Sequence, residues 1–388
     1  MGILQRLAGF LGRHFGPPRL ALTVAFWVAA LLGWGALARH VLPIEHRVKW
    51  DAPLEERAPL YARFDSGWYL AIEESGYGSP PPQGKPSVHA FFPLYPMTAR
   101  VVRGAFGIDG FFAGLLVTYA CLLLAMSLFF REAQARLSER EAWHAVLFLL
   151  LSPVAFFLQA VYAEAMFLLF ALLAFRDARA GRTGPALLWG VLLGLTRASA
   201  LAVGPALCLA ALTVRDDSGR RRSWRALAIG AVPVATALCW IYGMGRAKGE
   251  PGLFFRAMEG WHRGKSSLAG VAEWFWQMKL SIKFGHWMKD PTRALDYGMV
   301  VLAASIAVWL LLRRRWPDAA WTGCAIALPI TTGLTGGMPR FLLVVYPIAI
   351  AMAQGSAGSP RSRWAAWIAS GAALLWTSAR FVNWIWVS

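Results

Sequence analysis

Long stretches without Asp, Glu, Lys or Arg dominate the chain and predict membrane-spanning helices. A helix needs about 20 predominantly apolar residues to cross the hydrocarbon core of a bilayer. The charge-free stretches cover residues 20–38, 110–130, 145–163, 165–175, 183–196, 198–214, 226–245, 297–312, 319–339, 341–360 and 364–379. We therefore expect an all-α polytopic membrane protein with about 11 transmembrane helices.

Two regions could each form one very long helix or a pair of short ones. Residues 145–175 are interrupted only by Glu164, and residues 183–214 only by Arg197. The arginine-rich segment 176–182 lies between them, and the positive-inside rule places it in the cytoplasm. With a cytoplasmic N-terminus, only two helical hairpins satisfy that rule. The hairpins put Glu164 and Arg197 together at the outer membrane boundary.

The hydrophilic segments then define the two sides of a single integral membrane domain, residues 1–388. Short basic segments between the stretches are assigned to the cytoplasm, together with an amphipathic N-terminus over residues 1–19. The long segments 43–108 and 246–293 become the first and second outer loops. The predicted location is the plasma (inner) membrane, with several passes and with both long loops on the extracytoplasmic side.

Composition supports a membrane protein and argues against a nucleic-acid partner. Hydrophobic residues make up 57% of the chain and charged residues only 15%, whereas soluble domains carry about 25% charged residues. The net charge of +18 comes largely from arginines in short segments between apolar stretches, which is typical of membrane topology. The histidines of the outer loops form no cluster with Asp or Glu at metal-ligand spacing, so no metal is predicted.

The first outer loop holds the most informative carboxylate, Asp65. Asp65 or Ser66 could cap a short helix that continues through Ile72 and Glu74. A carboxylate at a helix N-terminus is also kept ionised by the helix dipole, which is the state a general base requires. Spacing alone favours the capping role.

Other charged residues near the outer boundary are candidates for a site. Ionisable groups inside membrane segments cost a few kcal/mol and usually pair or serve a function, so Glu164 and Arg197 mark a candidate cavity. Arg340 precedes a span and could instead be an interfacial anchor. The basic and aromatic second outer loop, which includes Arg263, suits anionic headgroups or sugar phosphates better than nucleic acid.

A proline-rich segment, residues 86–99, contains His89 and lies before the second span. Its three prolines, Pro86, Pro93 and Pro96, predict an ordered loop rather than a helix. His89 by itself would be an ordinary loop histidine.

Six motifs in this order resemble the PIG-V family of GPI mannosyltransferases and its prokaryotic relatives. The motifs are FDSGWYL (64–70), GY (76–77), HAFFPLYP (89–96), SPVAFFLQAVYAEAMF (152–167), LTR (195–197) and PRFLLVVYPI (339–348). The resemblance implies a GT-C-type helical bundle with short interfacial helices in its outer-face loops. It also implies a lipid-phosphate-linked sugar as donor. A prokaryotic owner is expected, so the GPI acceptor itself is not carried over.

The resemblance assigns roles to the candidate residues. Asp65 becomes the favoured catalytic base, with capping as a supporting role. The residues expected to contact the acceptor or sugar are Glu164, Tyr162, His89, Trp68 and Tyr69. A lipid phosphate leaves as a stable anion, so one carboxylate suffices if cations hold the departing phosphate. The expected cations are Arg340, Arg197 and Arg263.

The predicted activity is transfer of a mannose-type sugar, with inversion, from a polyprenyl-phosphate donor to a hydroxyl on a glycolipid or glycan. The reaction takes place on the outer face and needs no cofactor beyond the lipid-linked donor. Expected partners are that donor, the acceptor and membrane lipids; the oligomeric state is not indicated. Three alternatives stay open: a lipid-carrier flippase or transporter, a GT-C enzyme with another sugar or a protein acceptor, and a non-catalytic subunit.

Overall fold

The helices follow the apolar stretches closely. The computed structural model describes residues 17–42, 59–214, 223–261, 267–283, 285, 290–333 and 336–387. The α-helices of these residues are α1 (Pro18–Val41), α2 (Asp65–Ser75), α3 (Leu94–Phe106), α4 (Gly110–Gln134), α5 (Glu139–Leu150), α6 (Glu164–Arg179), α7 (Thr183–Gly194), α8 (Gly204–Leu212), α9 (Ser223–Ala247), α10 (Leu253–Glu259), α11 (Leu268–Lys283), α12 (Pro291–Leu312), α13 (Trp316–Ile330), α14 (Met338–Leu343), α15 (Pro347–Gly355) and α16 (Pro360–Val382). Short 3₁₀ helices occur at Val88–Ala90, Ala155–Leu158 and Ala198–Ala202. Of the predicted N-terminal segment 1–19, all but the last three residues lie outside this description.

Four of the described helices, α1, α4, α9 and α12, are long and apolar enough to cross a membrane. They coincide with the predicted stretches 20–38, 110–130, 226–245 and 297–312. The all-helical, multi-pass character is therefore confirmed within the described residues. The total of about 11 spans stays a prediction.

Both ambiguous regions break near their single charged residue, as predicted. Helix α6 begins at Glu164, and α7 ends just before Arg197. The helices α6 and α7 are joined by a short turn and pack on each other as an antiparallel hairpin. At the open end of the hairpin, Arg197 pairs with the Glu164 carboxylate. At the turn, the indole of Trp189 donates a hydrogen bond of 2.7 Å to Asp177.

Three predicted stretches are not continuous helices. Helix α5 ends at Leu150, so a helical span over 145–163 is wrong; Pro153 has no N–H and disfavours a helical residue before it. The stretch 341–360 is divided at Pro347, which cannot continue the helical hydrogen bonding of α14. The stretch 319–339 ends its helix α13 at Ile330, as the chain turns toward α14.

The predicted loop over residues 86–99 is wrong in its second half, where α3 begins at Leu94. Pro96 lies in the first turn of this helix, where a backbone N–H has no intrahelical partner to lose. Helix α3 packs between α2 and α4. The predicted outer loops therefore contain four described helices, α2, α3, α10 and α11.

Candidate active site

The turn before α2 holds Asp65 in a fixed position. Phe64 has φ +52°, a conformation that is uncommon for a residue other than glycine. Its ring is almost fully buried and packs against Phe381, Trp384 and Trp386, with ring centroids 5.4, 5.5 and 5.0 Å away. This aromatic packing fixes the strained residue that directly precedes Asp65.

Tyr162 fastens the same turn from the other side. The backbone N–H of Asp65 donates a hydrogen bond to the Tyr162 hydroxyl (3.1 Å), and that hydroxyl donates to the Arg63 carbonyl (3.0 Å). No side chain caps α2, whose N-cap residue is Phe64. The capping interpretation of Asp65 or Ser66 is therefore wrong, because the carboxylate of Asp65 instead contacts an arginine that is far away in the sequence.

That arginine is Arg340, and it bridges two carboxylates. Its Nη1 donates a hydrogen bond to Asp65 Oδ2, and its Nε donates one to Glu164 Oε1. Each donor–acceptor distance is 2.5 Å. Glu164 also pairs with Arg197. The structure thus brings together four predicted residues from four separate parts of the chain.

Burial makes this pairing energetically necessary. The Glu164 side chain is fully buried, and Asp65, Arg197 and Arg340 are each at most 9% exposed. An unpaired buried charge costs several kcal/mol, whereas paired and hydrogen-bonded charges can be accommodated. The two carboxylates and two guanidinium groups sum to zero net charge, so the group is balanced before any substrate binds.

Aromatic rings complete the setting of Arg340. Its guanidinium carbon lies 4.6 Å from the ring centroid of Tyr162 and 4.9 Å from that of Phe157. Cation–π contacts of this kind attract a cation and also restrict its position. Tyr162 therefore orients both the turn at Asp65 and the arginine that pairs with it.

A cavity of about 110 Å³ opens above this group, and Asp65, Arg197 and Arg340 line it. Its aromatic wall consists of Tyr69, Phe91, Phe92, Phe254, Trp261, Phe341 and Trp386. A carboxylate and two guanidinium groups thus share one aromatic-walled space. Such a cavity can hold a charged group at the arginines and an apolar ring face against the wall.

The other predicted residues lie around the cavity. Tyr162 and Glu164 lie beneath it, and Trp68 lies behind the wall, where its ring contacts Phe91. His89 is fully buried away from the lining, and its Nδ1 is 3.2 Å from the hydroxyl of Ser87. Arg263 is outside the described residues.

Sequence reasoning did not single out several lining residues, among them Phe91 and Trp386. Phe91 is part of the HAFFPLYP motif, so a signal for it was present. Trp386 comes from the end of the described chain, and its contact with the cavity follows from packing of its ring on Phe64. No local sequence pattern predicts that contact.

The fold and site together define a multi-pass membrane protein with one carboxylate and two arginines facing an aromatic cavity. Residues 60–214 match the family described as Mannosyltransferase (PIG-V). This match confirms the resemblance drawn from the motifs, and its range includes Asp65, Glu164 and Arg197. Arg340 lies beyond the matched range. No curated protein matches the chain.

Solved structures show a partial likeness. ArnT from Cupriavidus metallidurans bound to undecaprenyl phosphate is 16% identical, with a TM-score of 0.48, 89% of this chain covered and 62% of that one. Its apo state is 20% identical, with a TM-score of 0.47 and coverages of 90% and 62%. The Archaeoglobus fulgidus oligosaccharyltransferase in complex with Zn and sulfate is 12% identical, with a TM-score of 0.45 and coverages of 92% and 53%. The chain thus spans less than two thirds of the length of each of these proteins.

Proposed function

We propose that this protein is an inverting glycosyltransferase that moves a mannose-type sugar from a polyprenyl-phosphate donor to a hydroxyl of a glycolipid or glycan. The observation that carries the proposal is the shared cavity of Asp65, Arg197 and Arg340. It supplies a base for the acceptor and cations for the donor phosphate. The match of residues 60–214 to a mannosyltransferase family supports the reaction class.

Asp65 acts on the acceptor. Its carboxylate takes the hydroxyl proton as the hydroxyl oxygen attacks the anomeric carbon. The bond between that carbon and the phosphate oxygen breaks, and the phosphate leaves with the electron pair. A single displacement inverts the anomeric configuration.

Only one carboxylate is required. Hydrolysis of an ordinary glycoside uses a second carboxyl group, either as an acid for the leaving oxygen or as a nucleophile, but a lipid phosphate leaves as a stable anion. Glu164, fully buried beneath the cavity, therefore has a different task. It is the counter-ion that holds Arg340 and Arg197 side by side.

The two arginines bind the donor phosphate. A guanidinium group has five N–H donors in a planar fork, so one that pairs with a carboxylate can also bind a phosphate oxygen. Preorganised cations of this kind lower the barrier where negative charge develops on the leaving group. Phosphate bound at Arg340 also competes with Asp65 for the guanidinium, which makes the carboxylate a stronger base when the donor is present.

The aromatic wall receives the sugar. Trp261 and Trp386 flank the charged residues in the same cavity. Their flat apolar faces suit the C–H face of a pyranose ring, whose hydroxyls then point toward the polar side. We place the cavity on the extracytoplasmic side of the plasma (inner) membrane and the N-terminus in the cytoplasm, on the basis of the basic segments between the spans.

A transfer assay tests this proposal. Purified protein in detergent is incubated with radiolabelled polyprenyl-phosphate mannose and a membrane lipid extract, and labelled products are identified by mass spectrometry. The expected result is a new mannosylated product with inverted anomeric configuration. The same protein in liposomes is assayed for movement of the labelled donor across the bilayer. Movement without covalent transfer contradicts the proposal and favours a flippase.

A further inference from the structure

The short helix α14 carries Arg340 as its third residue, and its N-terminus lacks a cap of its own. The N-cap residue is Gly337, with φ +88°, a left-handed conformation that favours glycine. Glycine has no side chain with which to cap a helix. Pro339 has no N–H, so the first-turn donors that need an acceptor from outside belong to Met338 and Arg340.

Asp296 provides the missing acceptor from another helix. It lies in the second turn of α12, and its Oδ1 accepts a hydrogen bond of 3.0 Å from the Met338 N–H. Asp296 is only 3% exposed, so its oxygens are directed at this backbone rather than at solvent.

The contact fixes the position of a residue in the cavity. Met338 and Arg340 are two residues apart on α14, about 3 Å along the helix axis. The guanidinium of Arg340 contacts Asp65 and Glu164 at 2.5 Å each, so little movement of α14 is compatible with both contacts. A displacement of about 1 Å at a reacting centre can cost about a hundredfold in rate.

We propose that Asp296 is a positioning residue, which holds the N-terminus of α14 so that Arg340 can bind the donor phosphate beside Asp65. This inference rests on the proposed function for its role in transfer. Asp296 does not line the cavity, so it acts through Arg340 and contacts no substrate. Donor affinity, rather than acceptor affinity, should depend on it.

A double-mutant cycle separates this role from a general structural one. The proteins are the wild type, Asp296→Ala, Arg340→Lys and the double variant, and each is assayed for binding of decaprenyl phosphate and for transfer. Asp296→Ala should weaken binding and raise the donor KM about tenfold, with the acceptor KM unchanged. In the Arg340→Lys background the same substitution should change donor binding less than twofold. Asp296→Asn, which keeps an acceptor oxygen, should stay within about threefold of the wild type.

Asp290→Ala is the matched control. Asp290 caps α12 itself through Thr292 at 3.1 Å, so its loss should leave donor binding and the donor KM unchanged. If Asp296→Ala does not fold, Asp296→Ser takes its place in the cycle. Full additivity of Asp296→Ala with Arg340→Lys would overturn the inference. An equal rise in both KM values, or wild-type donor binding by Asp296→Ala, would also overturn it.

The two proposals fail in different ways. A wild-type protein that binds decaprenyl phosphate through Arg340 and Asp296 but transfers no sugar contradicts the proposed function alone. Transfer that is unaffected by Asp296→Ala contradicts the positioning role alone. Absence of both binding and transfer in the wild type overturns both.

Discussion

Arg340 donates a hydrogen bond to Asp65 with a donor–acceptor distance of 2.5 Å, although the two residues are 275 positions apart in the sequence. The proposed base therefore stands beside a proposed phosphate ligand before any donor arrives. This pairing balances a carboxylate that is only 9% exposed. It also couples the two halves of the reaction, because any group that engages Arg340 changes the environment of Asp65.

Replacing Asp65 by Asn should abolish most of the transfer. The amide has nearly the same shape but accepts no proton, so the rate should fall by about 10²–10⁴-fold while donor binding remains. The matched control is Asp109→Asn, at an exposed N-cap whose carboxylate accepts a hydrogen bond of 2.8 Å from Phe111. Steady-state rates of both variants test the assignment, and near-normal turnover by Asp65→Asn would remove Asp65 as the base.

Replacing Arg340 by Lys should damage use of the donor more than use of the acceptor. Lysine keeps the charge but cannot reproduce the planar fork that contacts two carboxylates and that, in the proposed reaction, also binds the donor phosphate. Loss of a charged hydrogen bond costs about 1.5–3 kcal/mol, so the donor KM should rise by at least about tenfold.

The control for this variant is Arg182→Lys, at the turn end of the α6–α7 hairpin, where the arginine pairs with Asp177. Its donor KM should equal that of the wild type. Equal donor KM values for Arg340→Lys and Arg182→Lys would exclude Arg340 from the phosphate site.

Glu164→Gln should destabilise the protein strongly. The neutral amide leaves Arg197 and Arg340 as two adjacent buried cations with only Asp65 to balance them. Breaking a buried ion pair by removing one partner costs about 3–5 kcal/mol. Thermal unfolding in detergent micelles measures the loss.

Glu139→Gln provides the comparison for the Glu164 variant, because Glu139 forms an ion pair with Arg19 at the surface. Surface pairs contribute at most about 1 kcal/mol, so this variant should unfold close to the wild-type temperature. If Glu164→Gln lowers the unfolding temperature no more than Glu139→Gln does, the ion pairs at Glu164 contribute little to stability.

Stability should fall at acidic pH through His89. Burial lowers the pKa of His89 from its ordinary value of 6.5, and the nearby cations Lys248 and Arg256 lower it further. Below about pH 6.5 the unfolded chain binds a proton that the folded protein does not. The free energy of unfolding therefore decreases as the pH falls through this range, by at most about 1.4 kcal/mol per pH unit.

The measurement for His89 is thermal unfolding between pH 5 and pH 7.5 for the wild type, His89→Gln and His40→Gln. The His89 variant should lose this part of the pH dependence, whereas the variant at exposed His40 should keep it. Unchanged pH dependence in His89→Gln would assign the effect to other groups.

The sequence predicts helices well where a long charge-free stretch stands alone, as in α1, α4, α9 and α12. It fails where proline divides such a stretch, because hydrophobicity alone does not show whether the chain continues as a helix. Pro153 and Pro347 end helices in stretches that looked continuous, whereas Pro96 lies inside the first turn of α3. The presence of proline alone does not decide the outcome, since Pro233 lies in the interior of α9 without ending it.

The site was predictable to the extent that its charges lie in apolar surroundings. Glu164 and Arg197 each interrupt an otherwise uncharged stretch, and the hairpin topology alone put them at the same end. The local spacing around Asp65 suggested a cap, since no short-range pattern reveals a partner 275 residues away. No sequence pattern pointed to Asp296. Its carboxylate accepts a hydrogen bond from the backbone of Met338, 42 residues further along the chain, and only the fold brings the two together.

The α6–α7 hairpin also sets how deep the charged group lies in the membrane. Glu164 and Asp177 are separated by about 20 Å along α6, whereas the hydrocarbon layer is about 30 Å thick. With Asp177 at one boundary, Glu164 lies about 10 Å short of the other. The reacting hydroxyl must then descend below the headgroups, or the bilayer must thin around the protein. An acceptor carried on a lipid starts at the headgroups, closer to that depth, whereas a soluble glycan would have to leave the water to reach it.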